Sequence, residues 1–270
     1  MITFSPFGFH GRLGNQLWQL ASTAGIASKA GQNFVLPNWV YKKYFSVPEK
    51  HFRDPPYSPD DHPIEAHNTR YVEHMHPSAR PYMQDYRLWS HMSNTIKQWL
   101  QPSELAEEHI AWINQFPKPI LSLHVRRGDN ANEGDWKAAY HPLRPMSYYR
   151  EALSMMEGKY KTLVIFSDDP QWCRENFSNL NAEFYEGVSR PKEHEPDFTT
   201  APVLDWIDLQ MMSKCDYHIL SNSTYSWWGA FLSNDKNPIY PWPFFGPALQ
   251  YIDATLLFPN HWTRLPHGEA

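Results

Sequence analysis

Two short stretches hold the residues best equipped for chemistry: His124-Val125-Arg126-Arg127-Gly128-Asp129 and Ser221-Asn222-Ser223-Thr224. Each follows an apolar run of strand type, Ile120 to Val125 and Tyr217 to Leu220. Side chains alternate along a strand, so Arg126 shares a face with His124 while Arg127 points the other way. One guanidinium can then face a ligand while the other pairs internally with a carboxylate. A guanidinium is planar and permanently charged, and it grips phosphate through two parallel N–H bonds. A purely structural ion-pair network at a strand end is the competing reading. In the second stretch, Ser and Asn are natural helix N-caps, and capping accounts for one of the four residues. Hydroxyls at the positive end of a helix also suit a diphosphate. Both loops belong at the carboxyl edge of a parallel sheet, where α/β proteins hold ligands. The chemistry they fit is departure of a diphosphate from a nucleotide-activated donor.

Other candidates divide between function and plain structure. Gly11-Arg12-Leu13-Gly14-Asn15-Gln16 separates a strand from a helix, and its glycines would let backbone approach an anion. A simple tight turn explains it equally well, because Gly8, Gly11 and Gly14 do not have dinucleotide-fingerprint spacing. Asp168-Asp169 precedes Pro170 at a helix start, where capping is the first reading and nucleotide contact by Asp168 the second. Asp129, Glu133 and Asp135 follow the arginines. Any of them could accept a proton, or Asp129 could orient Arg126 or Arg127 as an ion-pair partner. Trp227 and Trp228 read as packing. His74 and His76 lack further ligands at metal spacing, and there is no Walker loop or Gly-x-Ser-x-Gly, so no metal site is expected.

These loops need a scaffold, and the chain has one to offer. Its 270 residues with 41 % hydrophobic content suffice for a globular protein of two ordinary domains or one large one. Strands are expected at Ile2 to Phe9, Phe34 to Leu36, Ile120 to Val125, Thr162 to Ser167, Ala182 to Tyr185, Tyr217 to Leu220 and Ile239 to Pro241. Helices are expected at Asn15 to Ala30, Asn94 to Leu100, Ser103 to Phe116, Ser147 to Glu157, Pro170 to Asn176, Val203 to Lys214 and Thr224 to Leu232. That alternation implies βαβ units and parallel sheets. Pro117-Lys118-Pro119 is the expected hinge, dividing domain 1–117 from domain 118–270. Residues 48 to 81, rich in Pro, His and Asp, read as loops shaping an acceptor cleft.

The formal net charge of −5 argues against a broad nucleic-acid surface. With two cysteines, no signal-peptide pattern and no apolar run near the ~20 residues of a membrane span, a cytoplasmic protein is expected. Contact with a membrane surface is left open.

The chain resembles the bacterial α-1,2-fucosyltransferase family. The matching residues are Gly11 to Gln19 (GRLGNQLWQ), His124 to Asp129 (HVRRGD), Phe166 to Cys173 (FSDDPQWC) and Met212 to Leu232 (MSKCDYHILSNSTYSWWGAFL). The resemblance implies a GT-B fold, two Rossmann-like domains facing across a cleft. It also implies GDP-fucose as donor, inversion at the anomeric carbon, no cofactor or metal, and transfer to a glycan hydroxyl, the 2-OH of galactose. More distant fucosyltransferases of similar motifs imply that Arg126 holds the β-phosphate and that His124 lies by the nucleoside. By the same resemblance Asp208 reads the guanine edge, Ser223 and Thr224 bind phosphate, and Arg12 with Asn15 approach the donor. A carboxylate suits guanine, since it accepts from N1–H and the 2-amino group together. Asn130 stands where the family has an aromatic residue, and residues 44–83 and 241–247 depart from its pattern. A transferase for another GDP-sugar and a non-catalytic sugar-nucleotide or glycan-binding module are the alternatives.

Overall fold

The computed structural model describes residues 1–8, 11–54, 62–63, 75, 77–104, 110–127, 131, 135–185 and 205–267. The strands are β1 (Ile2–Thr3), β2 (Phe34–Pro37), β3 (Phe52–Arg53), β4 (His62–Pro63), β5 (Ile120–Val125), β6 (Thr162–Ser167), β7 (Ala182–Tyr185), β8 (Tyr217–Ile219), β9 (Ile239–Trp242) and β10 (Thr263–Pro266). The helices are α1 (Leu13–Lys29), α2 (Ser93–Trp99), α3 (Ala111–Asn114), α4 (Asp135–Tyr140), α5 (Met146–Met155), α6 (Pro170–Asn176), α7 (Asp205–Ser213) and α8 (Thr224–Leu232).

The chain forms two compact units. One comprises Met1–Glu108, His194–Trp206 and Thr255–Phe258, and the other His109–Glu193, Ile207–Ala254 and Pro259–Ala270. A single boundary at 117 was expected; the observed division is discontinuous. Pro117–Pro119 is no loose link: Thr162 Oγ1 donates to the Pro117 carbonyl at 2.8 Å, and the Lys161 N–H to that of Pro119 at 2.8 Å. Those bonds fix the segment to the entry of β6.

The first unit carries a parallel sheet in the order β3-β2-β1-β4. The strand expected at Ile2 to Phe9 ends at Thr3, because the Phe7 N–H turns back to the Phe4 carbonyl at 3.0 Å. Helix α1 follows, buried along most of its length from Leu13 to Ala27.

The second unit carries a parallel sheet in the order β10-β9-β8-β5-β6-β7. Counted from β5 along the chain, this is the doubly wound order 3-2-1-4-5-6 read from its other edge. Strand β5 is buried at every position, as a sheet covered on both faces requires. Tyr148, Tyr149 and Ala152 of α5 lie on one helical face and join Leu121, Leu123, Leu163, Ile165 and Ile219 in the core. Strand β10 was not expected. It is a short edge strand ending in Pro266, and edges are where a sheet tolerates proline. Among the described residues, no helix is long and apolar enough to cross a membrane.

Candidate active site

The order of the second sheet reverses between β5 and β8, its first and fourth strands in chain order. Such a reversal opens a crevice beyond the strand ends, because the two flanking loops leave toward opposite faces. Those two loops carry the arginine pair and the Ser221–Thr224 stretch. Register pairs Leu123 with Ile219, so His124 and Leu220 come next on their strands. His124 Nδ1 and Ser221 Oγ are 2.7 Å apart, with both residues buried, and this bond ties the two strand ends together.

Register also explains the arginines. Val125 pairs with Ser167, which brings Arg126-Arg127 alongside Asp168-Asp169. Arg126 Nη1 donates to Asp168 Oδ2, while the Arg127 N–H donates to Asp168 Oδ1 at 2.8 Å. Arg127 Nε donates to Asp169 Oδ2 at 3.1 Å, and its guanidinium carbon lies 4.0 Å from the centre of the Trp172 ring. Asp169 also accepts the Trp172 N–H at 3.2 Å and thereby caps α6. The two acids therefore differ in role: Asp169 caps the helix and Asp168 orients an arginine. Asp129 and Glu133 lie outside the described residues, as do His74 and His76, while Asp135 opens α4.

At the other loop, Ser223 is the N-cap of α8, its hydroxyl accepting the Tyr225 N–H at 3.3 Å, and Thr224 is the first helical residue. Asn222 Nδ2 donates to the Pro142 carbonyl at 3.0 Å. That bond fixes the amide orientation, since a carbonyl can be met only by the NH₂ end. Asn222 Oδ1 is then a buried acceptor with no partner among the described residues. The buried Tyr148 hydroxyl donates to the Leu220 carbonyl at 2.5 Å, anchoring the end of β8. Trp227 and Trp228 are fully buried with ring centres 5.0 Å apart, in keeping with packing.

Arg126, His124, Asp168, Ser223 and Thr224 thus gather at one sheet edge. Asp208 lies on α7 and is 7 % exposed. Arg12 and Asn15 belong to the first unit. Arg12 is exposed at the N-cap position of α1, and Asn15 Oδ1 accepts from Gln84 Nε2 at 2.9 Å. Gly11 has φ +78°, and a Cβ placed there would stand 2.2 Å from Asn15 Nδ2. The turn is therefore built around the Asn15 side chain.

Sequence reasoning passed over three organisers of these loops. Gln16 donates to the Gly8 and Gly11 carbonyls at 3.2 and 3.1 Å and accepts the Trp39 indole N–H at 2.8 Å. Its place inside the glycine motif was the available signal. Tyr148 and Arg144 gave none, because polar groups on a helix and a loop read as surface until their burial is seen.

A hollow of about 410 Å³ opens at the amino ends of the same sheet, beside Pro119, Tyr217, Ile239 and Thr263. Parallel sheets bind ligands at their carboxyl ends, so the switch point, and not this hollow, is the candidate site. No group of three or more His, Cys, Asp or Glu suited to a metal occurs among the described residues.

Comparison with known proteins places the chain in a family and a fold. The profile of glycosyl transferase family 11 matches residues 16–262. The O-antigen biosynthesis glycosyltransferase WbnK of Escherichia coli is 34 % identical over 120 residues, 44 % of this chain and 36 % of that protein. An alpha-1,2-colitosyltransferase of Escherichia coli is 30 % identical over 154 residues, 54 % of this chain and 47 % of that protein. The matched stretches thus span less than half of those relatives. The crystal structure of POFUT1 in complex with GDP-fucose superposes with a TM-score of 0.50 at 15 % identity, over 87 % of this chain and 94 % of that one. The chain has an α/β fold of the GT-B type, with a parallel sheet in each unit.

Proposed function

We propose that this chain, which belongs to glycosyl transferase family 11, moves L-fucose from GDP-fucose to a hydroxyl of a glycan acceptor, the 2-OH of galactose. The observation that carries this is the pairing of Arg126 and the start of α8 on the two strands that flank the switch point. Transfer proceeds by in-line attack of the acceptor hydroxyl on an oxocarbenium-like anomeric carbon while GDP departs, so the configuration inverts. Charge grows on the β-phosphate oxygen and must be met by donors already in place. Arg126, with the Ser223 and Thr224 hydroxyls at the positive end of α8, supplies them, and a divalent ion is not required.

His124 we assign to the nucleoside side, Asp208 to the guanine edge, and Arg12 with Asn15 to substrate contact from the first unit. The acceptor's proton passes to a carboxylate of the loop after Arg127, with Asp129 the first choice. Asp168 we now read as the residue that orients Arg126. Two free, buried cysteines agree with a reducing, cytoplasmic setting.

A relative named alpha-1,2-colitosyltransferase supports transfer of a different GDP-linked sugar as a second reading. The deciding experiment offers the purified protein GDP-fucose, GDP-mannose and UDP-galactose with an array of galactose-terminated glycans, with and without EDTA. Fucosylated product from GDP-fucose, unchanged by EDTA, is expected. Binding without turnover of any donor would make the chain a recognition module, and loss of product in EDTA would refute the metal-free step.

A further inference from the structure

Arg144 is a buried guanidinium with no carboxylate paired to it among the described residues. It lies between α4 and α5 and is 5 % exposed. Its Nε and Nη2 donate to the Pro142 carbonyl at 3.2 and 2.8 Å. Its Nη1 donates to the Pro243 carbonyl at 2.7 Å and meets His267 Nε2 at 2.8 Å. A ring nitrogen that accepts from a guanidinium carries no proton, so every one of these partners is neutral. Among the described residues no carboxylate forms an ion pair with it, and burial pulls its pKa down to about 10 with only two tyrosines opposing. An arginine remains charged at neutral pH even so.

A buried cation that meets only neutral partners among the described residues is costly, and an apolar side chain would fill the same space at lower cost. Its position suggests what it is for. The Pro142 carbonyl that accepts from Arg144 also accepts from Asn222, the residue before the α8 N-cap. The guanidinium is thus one shared oxygen away from the loop assigned to the diphosphate. Arg126 and Arg127 have aspartates against them at this edge, whereas Arg144 has none among the described residues.

Resting on the donor reading above, we infer that Arg144 is a second cation of the diphosphate seat. It is a positioning residue that acts through its field and through the Pro142–Asn222 link, without touching the ligand. Its charge, met by no carboxylate among the described residues, is the one that the departing diphosphate cancels.

Calorimetric titration of GDP and of guanosine into the wild type, Arg144→Gln and Arg144→Lys separates charge from architecture. Gln keeps an amide donor for the Pro142 carbonyl and removes the charge; Lys keeps the charge. GDP should weaken about tenfold in Arg144→Gln, with guanosine nearly unchanged, and Arg144→Lys should restore most of the GDP affinity. Equal weakening of GDP and guanosine in Arg144→Gln would mean a structural staple and overturn the inference. Should that variant not fold, Arg144→Lys decides: a wild-type ratio of GDP to guanosine affinity supports the charge role, and about a tenfold fall in that ratio overturns it. A wild type that binds neither ligand would sink the donor reading itself. Strong GDP binding with an unchanged ratio in Arg144→Gln would sink only the role given to Arg144.

Discussion

Removing the Arg126 guanidinium should cost rate far more than stability, and the two losses should be separable. In Arg126→Ala the leaving diphosphate loses one fixed donor, which typically lowers kcat by about 10²–10³, or about 3–4 kcal/mol of barrier. The folded state loses the pair with Asp168, whose side chain is 11 % exposed against 18 % for Arg126. A sealed pair broken on one side costs about 3–5 kcal/mol, and an exposed one about 1 kcal/mol or less. Here Asp168 keeps the Arg127 N–H at 2.8 Å, and water can enter where the guanidinium stood, so about 1–3 kcal/mol is expected. Most of that loss is the stranded carboxylate.

Adding Asp168→Asn removes the stranded charge, so the double variant should regain much of the stability in urea unfolding. It should regain none of the rate, measured as GDP release from GDP-fucose in the presence of acceptor. A double variant that recovered wild-type turnover would falsify the role assigned to Arg126. The diphosphate would then be held elsewhere, and the single variant would have failed only through misplacement of Asp168.

Three further outcomes follow from the geometry. Gly11→Ala demands a left-handed conformation and a Cβ 2.2 Å from Asn15 Nδ2, so it should displace Asn15 from Gln84 and cost about 2–4 kcal/mol; a variant with unchanged melting temperature would show that the turn is not built this way. His51 and His267 have pKa values lowered chiefly by burial, so the unfolded chain takes up protons before the folded one does. Stability should therefore fall as pH drops through about 6.5, and should fall less in His51→Gln/His267→Gln, compared by urea unfolding at pH 7.5 and 5.5. An identical pH dependence in the double variant would exclude both histidines as its source. Burial pushes the Cys173 thiol up to about 11 and that of Cys215 higher still, so neither should react with a thiol reagent at pH 8 until the chain is unfolded.

Long apolar strands and well-capped helices were legible from the residues alone. Strands β5, β6 and β7 and helices α6 and α8 begin and end where the pattern places them, because largely apolar runs and the Asp-Pro and Ser-Thr starts are local signals. The first unit was less legible. Its strands run to two or four residues, too short for any period to register, and Phe4 to Gly8 is apolar yet turns. In the site, residue types named Arg126 and Ser223, but which acid meets which arginine depends on the register of β5 against β6. Pairing between strands distant in sequence leaves no mark on either strand. The Ser221–His124 bond was hidden for the same reason, since four adjacent polar residues cannot say which one faces inward.

Register makes the arginine and aspartate motifs one device spread over two strands. Both strands are six residues long and pair from end to end, so their exits fall level. A slip of one residue would turn every side chain to the opposite face and separate Arg126 from Asp168. Under the proposed function the pairing has a catalytic consequence. Asp168 repels the donor's diphosphate and competes for the guanidinium, which weakens ground-state binding. It also holds Arg126 in one orientation before the ligand arrives, so no reorganisation is needed when the leaving group gains its extra charge. A guanidinium has five N–H donors, and the bond to Asp168 runs through Nη1. Repulsion is present throughout the reaction, whereas the benefit of a fixed donor grows with the charge it meets. An arginine held in this way favours the transition state over the bound substrate, and only that difference raises kcat.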